Sequence, residues 1–407
     1  MDVKKISVLC VVAAMAATAC SSTPGGSSSP SSGSSAGAGG TKVTIGVDFP
    51  MSGGEAPNGV PAANGVKLAL KQNPVSGFAI TINVLDDAVN GKHNPQQGAK
   101  NITQFVNDPS VVGVVGPYNS NVGAAEIPVT NAAGLLQCSP ANTSPTLTKP
   151  SFGALDLRKT HPDQIAYVRV ATTDDIQGAA GADIAFNTAH AKNAFVIDDT
   201  ETYGKGLADQ FVTTFKSLGG TVIDGASHGV GTAQQTDFTA LLTQAKAASP
   251  DYVFFGGVTT TGGGLLRKQM VTQGMGSIPF GGGDGIVDGS AATSGSFLNV
   301  AGDAGDANTY GTVAATHDIP DPQKFATDYK AEYNTEPGSY SAAAYACTQL
   351  ILSALKTAGA GVTDLGQLRS KVRAYIANPA TTFTTVLGSF HFDANGDTSQ
   401  KIISDYQ

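Results

Sequence analysis

SVVGVVGPYNSNVGAAEIPVTNAAGLLQCSPANTSPTLT, residues 110–148, decides how the rest of the chain is read. SVVGVVG is a short continuous apolar run, the pattern of a strand buried on both faces of a parallel sheet. A polar turn, GPYNSN, leads into a helical stretch. The apolar run LLQCS then reads as a second buried strand, and a second polar turn, SPANTSP, follows it. Both turns are rich in hydroxyls and amides and sit where a strand hands over to a helix start. Taken alone, Ser120 and Thr143 in these turns read as helix N-caps.

The same alternation continues in both directions. VTIGVDF (43–49) and FAITINVL (78–85) alternate with period two, and AFVID (194–198) and DYVFFGG (251–257) are further short apolar runs. Between them, Ala99, Ile102, Phe105 and Val106 share one helical face, as do Leu207, Phe211, Phe215 and Leu218. Strand and helix in repeated succession predict parallel α/β architecture, and the length predicts two domains or one large one. In open parallel sheets, ligands sit outside the carboxyl ends of the strands. FPMSGG, GPYNSN, SPANTSP, DDTETYGKG, FFGGVTT and FGGGDG all occupy such ends, so several polar loops should face one another and line a cleft with backbone N–H groups.

The first residues point to the envelope of a cell. Lys4 and Lys5, the apolar stretch Ile6 to Ala17, and the small residues before Cys20 predict a secretory signal over 1–19, too short to span a membrane. The small residues ahead of Cys20 resemble the lipobox of bacterial lipoproteins, which implies a lipidated Cys20. Residues 21–40 hold only Ser, Thr, Pro, Gly and Ala, a composition that cannot bury a core and reads as a tether. The expected organisation is therefore a signal peptide over 1–19 and a lipidated cysteine with its tether over 20–41. Of four cysteines, Cys10 falls in the signal and Cys20 in the anchor, which leaves Cys138 and Cys347 either paired or buried as free thiols. A formal charge of −8 without any basic run offers no electrostatic footprint for nucleic acid.

In chain order, MSGG (51–54), DDA (86–88), VVGPYNS (114–120), SPANTSPTLT (139–148), DDTETYGKGLA (198–208), FFGGV (254–258), GGDG (282–285) and LNVAGDA (298–304) resemble the leucine/isoleucine/valine-binding family of solute-binding proteins that serve ABC importers. The resemblance runs from about Lys42 to about Asp397. It implies the two-lobe type I periplasmic-binding-protein fold, α/β, each lobe a parallel sheet flanked by helices, joined by three hinge crossings near Ala171, Ala314 and Leu387. The lobes would then be 42–170 with 315–386, and 171–314 with 387–407. It also implies an extracytoplasmic, lipid-anchored binding protein, on the periplasmic face or outer surface, a monomer working with ABC permease subunits. Its ligand would be a zwitterion, an amino acid with a branched or small polar side chain. A short amide or urea-like solute, or a role as a ligand-sensing subunit, are the alternatives within the same fold.

Residue by residue, the resemblance places Ser120 and Thr143 against a ligand carboxylate, with the Ala141 carbonyl accepting from an ammonium. Tyr203 and Asp284 would close over the ligand from the other lobe, Asp284 as the ammonium's counter-ion, and Tyr340 would be a cleft tyrosine. Asn58 stands where branched-chain binders place an aromatic residue, and Val258 and Thr259 stand where tyrosines are common, which implies room for a small polar side chain. Read without the family, Asp284 is a turn residue and the two tyrosines are packing.

Enzyme and cofactor signatures are not legible. FDANGDTS (392–399) has the opening spacing of a calcium loop but carries Thr398 in place of the required Gly, and reads as a hairpin turn. GVGTAQQ (229–235) lacks the last glycine of a dinucleotide fingerprint, and TYGKG lacks the Ser/Thr of a phosphate loop. The histidines are too scattered for a zinc site, and no nucleophile elbow is present, so a hydrolase has no visible nucleophile and base. No catalytic residue, cofactor or metal is expected.

Overall fold

Residues 40–231, 236–315 and 319–407 are described by the computed structural model. The expected signal peptide, Cys20 and nearly all of the tether lie outside these residues, as does the end of GVGTAQQ. Thr41, assigned to the tether, opens the first strand, Thr41–Phe49. Among the described residues, no helix is long and apolar enough to cross a membrane.

Two sheets organise the chain. The first has the order Phe78–Asp86, Thr41–Phe49, Val111–Val115, Gln137–Ser139, Tyr167–Arg169, all parallel. In the second, His228–Gly229, Asn193–Asp198, Tyr252–Gly256, Phe280–Gly282 and Thr309–Val313 run parallel, with Thr221–Val222 pairing Asn193–Asp198. The last strand, Ser404–Tyr406, closes this sheet antiparallel to Thr309–Val313, a departure from the all-parallel expectation. In both sheets the strand order reverses beside the first strand of the unit. The loops at these two reversals are the ones singled out from sequence.

The apolar runs bury as their patterns require. Val111–Val115 is buried throughout, and Ile102 and Phe105 on the helix Pro95–Asn107 pack behind it with Leu135. In the second lobe, Leu207, Phe211 and Phe215 stack beneath the sheet, with Phe211 and Phe254 rings 4.0 Å apart. The helix Ser341–Thr357 returns to the first lobe and buries an apolar face against Ala56–Gln72 and the first sheet. Tyr329 and Ser341 hydroxyls both donate to the Pro61 carbonyl and fix this return.

The chain passes from the first sheet to the second after Arg169 and leaves the second after Val313. Its third passage differs from the expectation at Leu387. Phe383, Phe390 and Phe392 form a ring cluster with centroids 5.5 to 6.3 Å apart, buried with Leu387 in the first lobe's core. Exposing three phenylalanines would forfeit several kcal/mol, roughly 1.5–3 each. The hairpin of Phe383–Thr385 and Gly388–Phe390 therefore stays with the first lobe, and the crossing falls between Ser399 and Ile403. FDANGDTS is a turn: Asp393 accepts from the amides of Asn395 and Asp397, and Phe392 bridges Thr398.

Cys138 and Cys347 form a disulfide, which resolves the alternative left open by the sequence. It joins the strand Gln137–Ser139 to the returning helix across 209 residues. A closure of that length restricts the unfolded chain strongly. Replacing both cysteines by alanine should lower unfolding stability by about 2–5 kcal/mol, read as a lower urea midpoint with an unchanged far-ultraviolet spectrum.

Candidate ligand cleft

The two turns of residues 116–120 and 140–144 are built as one object. Gly116 has φ of +136°, and a Cβ there would lie 2.3 Å from the Asp48 carbonyl oxygen, so only glycine lets the strand turn at this point. Ser139 Oγ donates to the Pro117 carbonyl and accepts from the Asn142 amide. Asn142 Nδ2 donates to the Tyr118 carbonyl. Ser120 Oγ accepts weakly from the amides of Thr143 (3.4 Å) and Ser144 (3.3 Å). Ser120 also begins the helix Ser120–Ala133, whose first amides and dipole favour an anion.

Beneath the second turn lies Arg169, fully buried. It donates to the carbonyls of Asn142 (3.3 Å) and Ser144 (2.7 Å), to the Thr148 hydroxyl, and to Asp397 (2.7 Å). Burial pushes Asp397 upward, but Arg169 more than reverses this and holds it below the usual carboxylate range. Asp397, part of the discounted calcium pattern, is therefore a structural anion.

From the second lobe, Asp284 follows the strand Phe280–Gly282. Its Oδ1 accepts from Gln177 Nε2 (2.8 Å) and from the Tyr203 hydroxyl (3.0 Å), which in turn accepts from the Gly285 amide (3.1 Å). Burial raises Asp284 above the ordinary range, and the Gln177 and Tyr203 hydrogen bonds offset part of that rise. Asp174, at the start of the helix Asp174–Asp183, lies near enough for Asp284 to raise it further than burial alone. The Asp174 amide donates to the Thr143 carbonyl (2.9 Å), which ties this carboxylate to the first lobe's turn. Sequence reading missed Asp174 and Gln177; the acidic pair of TTDDIQG after the first crossing was their signal.

Tyr340 and Tyr118 meet edge to face with centroids 5.5 Å apart, and Tyr118 donates to Asn58 (3.4 Å). The Tyr340 hydroxyl is buried facing Asp284, which it serves as a further donor. Gln177 Oε1 is buried without a protein partner, while the Thr143 hydroxyl and the buried Asp174 carboxylate face each other across the two lobes. Native interiors rarely leave a buried acceptor unsatisfied, at a cost of about 1–3 kcal/mol. Acceptors and hydroxyls thus converge on one place from both lobes.

Of the residues expected at the ligand, Ser120 meets Thr143, Tyr203 meets Asp284, and Tyr118 joins Tyr340 to Asn58, while Ala141 is buried in the first lobe's turn. Val258 packs among the second lobe's buried residues beside Gly285, the neighbour of Asp284. Thr260 crosses to the first lobe, donating to Glu55 Oε1 (2.6 Å). A separate groove of about 470 Å³, lined by Ala124, Phe152, Glu201 and Lys205 among others, opens at the rim and contains none of these ligand candidates. Among the described residues, no group of His, Cys, Asp and Glu could hold a metal ion.

Residues 42–403 match the sequence family described as Periplasmic binding protein. The Leu/Ile/Val-binding protein homolog 2 of Brucella abortus is 31% identical over 373 residues, covering 89% of this chain and 90% of its own. Two solved structures share the architecture. The LivJ substrate-binding protein of Streptococcus pneumoniae, determined with isoleucine, is 25% identical with a TM-score of 0.71, over 88% of this chain and 93% of its own. The leucine-binding protein LivK of Thermotoga maritima is 24% identical with a TM-score of 0.72, over 89% and 94%, a likeness of fold.

Asp284 is a carboxylate held in a place that disfavours its charge. Asp284→Asn should therefore stabilise the ligand-free protein by about 0.5–2 kcal/mol at neutral pH. A raised carboxyl lowers stability only where it is ionised, so the gain should vanish as pH falls below the ordinary carboxylate range. Urea unfolding at neutral and acid pH checks both parts.

Proposed function

The chain belongs to the periplasmic-binding-protein family of leucine/isoleucine/valine-binding proteins, and from that premise we propose that it captures an α-amino acid between its lobes and hands it to an ABC importer. The observation that carries this is the polarity of the cleft. One lobe offers backbone amides at Ser120 and Thr143, suited to a carboxylate; the other offers Asp284, suited to an ammonium. Between them they would take up both ends of a zwitterion without any catalytic group. The ligand's charges would replace the hydration that burial removes from Asp284.

The side-chain end of the cleft is less apolar than a leucine pocket. Asn58 and Tyr118 share a hydrogen bond there, and Thr259, nearly buried, donates to the Gly285 carbonyl. This supports a small polar or short branched side chain. A short amide or urea-like solute is the second reading, favoured by the buried hydroxyls of Thr143 and Tyr340 and the free Gln177 Oε1, neutral groups suited to a neutral polar solute. A sensing subunit would use the same cleft.

The placement we propose is extracytoplasmic, as a monomer tethered by lipid on Cys20 and docking permease subunits. One or two acyl chains, at about 0.8 kcal/mol per buried CH₂, would supply the anchorage. Cys20→Ala should then move the protein from the membrane fraction to the soluble one; a variant that still pellets with membranes refutes the anchor.

Ligand class is tested at both ends of the zwitterion site. Asp284→Asn removes one member of a buried charge pair, which costs about 2–5 kcal/mol, so amino-acid binding should weaken roughly 30-fold to several thousand-fold by calorimetry. Ser120→Ala should weaken binding while leaving the ligand-free melting temperature unchanged. A neutral amide would lose only about 1 kcal/mol on Asp284→Asn, and that smaller loss would favour the second reading.

A further inference from the structure

His93 sits apart from the ligand candidates, on the strand Lys92–His93 of a small hairpin in the first lobe. Its Nδ1 lies 2.5 Å from Glu55 Oε1 in the same lobe, and its Nε2 lies 2.6 Å from Glu201 Oε2 in the second lobe. The imidazole and Glu55 are almost wholly buried, with side-chain exposures of 2% and 1%, while Glu201 keeps 21%. Three more bonds surround the bridge. Thr260 of the second lobe donates to Glu55, Asn119 donates to Glu55 Oε2 (3.2 Å), and Asn121 donates to Glu201 Oε2 (2.9 Å). Asn119 and Asn121 flank Ser120, so the bridge grips the very turn that faces the ligand.

Proton counting decides what this bridge needs. A carboxylate oxygen and an unprotonated ring nitrogen are both acceptors, and two acceptors do not approach to 2.5 or 2.6 Å. Each contact therefore has a proton on its line, two in all. A neutral imidazole supplies one, so the bridge is an imidazolium between two carboxylates, or a neutral imidazole with one protonated carboxyl. When the lobes part, Glu201 withdraws into water and the second proton loses one of its two holders.

We propose that the His93 bridge between Glu55 and Glu201 is a proton-linked latch: holding the lobes closed requires a proton that the open form gives up more readily. Glu55 and Glu201 hold the proton on His93 directly. The buried carboxyls of Asp87, at the end of the first lobe's edge strand, and Asp199, after the strand Asn193–Asp198, also face it; burial raises both, Asp199 to about 7, so they favour the imidazolium only once ionised. Burial acts against the imidazolium, but Glu55 and Glu201 outweigh it and raise His93 well above its ordinary value. The sign follows. A raised histidine contributes fully below its open-state value and is lost as pH rises through its closed-state value. The closed form should thus be favoured at mildly acid and neutral pH and weakened in alkali. Nothing in this latch touches the ligand candidates directly, so it rests on the capture reading only through the two-lobe closure.

The test needs no ligand. A nitroxide on Lys205→Cys in the second lobe and the Ala124 amide in the first line the same rim groove, and paramagnetic broadening of that amide reports the closed population. In otherwise wild-type protein the broadening should fall as pH is raised from neutral into the alkaline range, well above the ordinary histidine value. His93→Gln should lower the closed-to-open ratio by about tenfold or more at neutral pH and flatten the profile, as expected for losing a hydrogen bond to a charged partner. Glu201→Gln restores a donor on the Nε2 line with one proton fewer, so it should keep much of the closure and lose the pH dependence. The proposal is overturned if either variant keeps the wild-type profile, or if the parent protein shows no closed signal at any pH. Failure here leaves the ligand-class experiments untouched, since those compare ligand affinities at fixed pH with His93, Glu55 and Glu201 intact.

Discussion

Arg169 is the charge around which the cleft is assembled. A fully buried guanidinium is tolerable only when nearly all of its donors are used, and here they go to two carbonyls of one turn, a hydroxyl and the carboxylate of Asp397. The planar donor fork fixes the direction of those carbonyls. It therefore fixes the opposite direction in which the amides of the turn point, toward Ser120 and the space between the lobes. The same residue pins the chain just before its third crossing, through Asp397. Ligand turn and hinge thus share one anchor, and lysine, a point charge without the fork, could not replace it.

Buried carboxyls recur away from this pair. Asp48, pushed up to about 6 mainly by burial, accepts from Asn101, and Gln137 donates to Glu126, while Asp87 has neither oxygen paired within the protein. These groups lie at the carboxyl end of the first sheet, close behind the cleft. Burial raises Asp87 and Glu126 as well, which favours their neutral forms and limits the negative charge around the ligand turn. At Asp284 the Gln177 and Tyr203 donors offset part of the rise that burial imposes.

The two-lobe layout places opposing demands on its polar groups. Polar groups buried between the lobes, such as Asp174, Asp284 and Gln177, cost stability when they lose water, and burial raises both carboxyls for that reason. Contacts between the lobes away from the ligand, at His93, Glu55, Glu201, Asn121 and Thr260, act in the other direction. Neither set alone fixes the equilibrium. Closure around a ligand is the state in which both are satisfied at once, which is how a hinge protein discriminates between a filled and an unfilled cleft.

The residues whose roles were legible are those whose signal is local. Buried strands such as Val111–Val115, amphipathic faces such as Leu207 with Phe211 and Phe215, and turns at strand ends carry periodicity and backbone preference that neighbouring residues impose on one another. These determined the α/β class and put Ser120, Thr143, Tyr203 and Asp284 just beyond strand ends, in turns or first helical turns. What only the tertiary structure decided are pairings between distant polar groups: Arg169 with Asp397, Cys138 with Cys347, Asp174 beside Asp284, His93 between Glu55 and Glu201. Asp397 looked like part of a turn alone, and Leu387 like a crossing. A lone buried charge leaves no period in the sequence, because its partner is chosen by which loops the packed sheets bring together and by the cost of leaving it unpaired there.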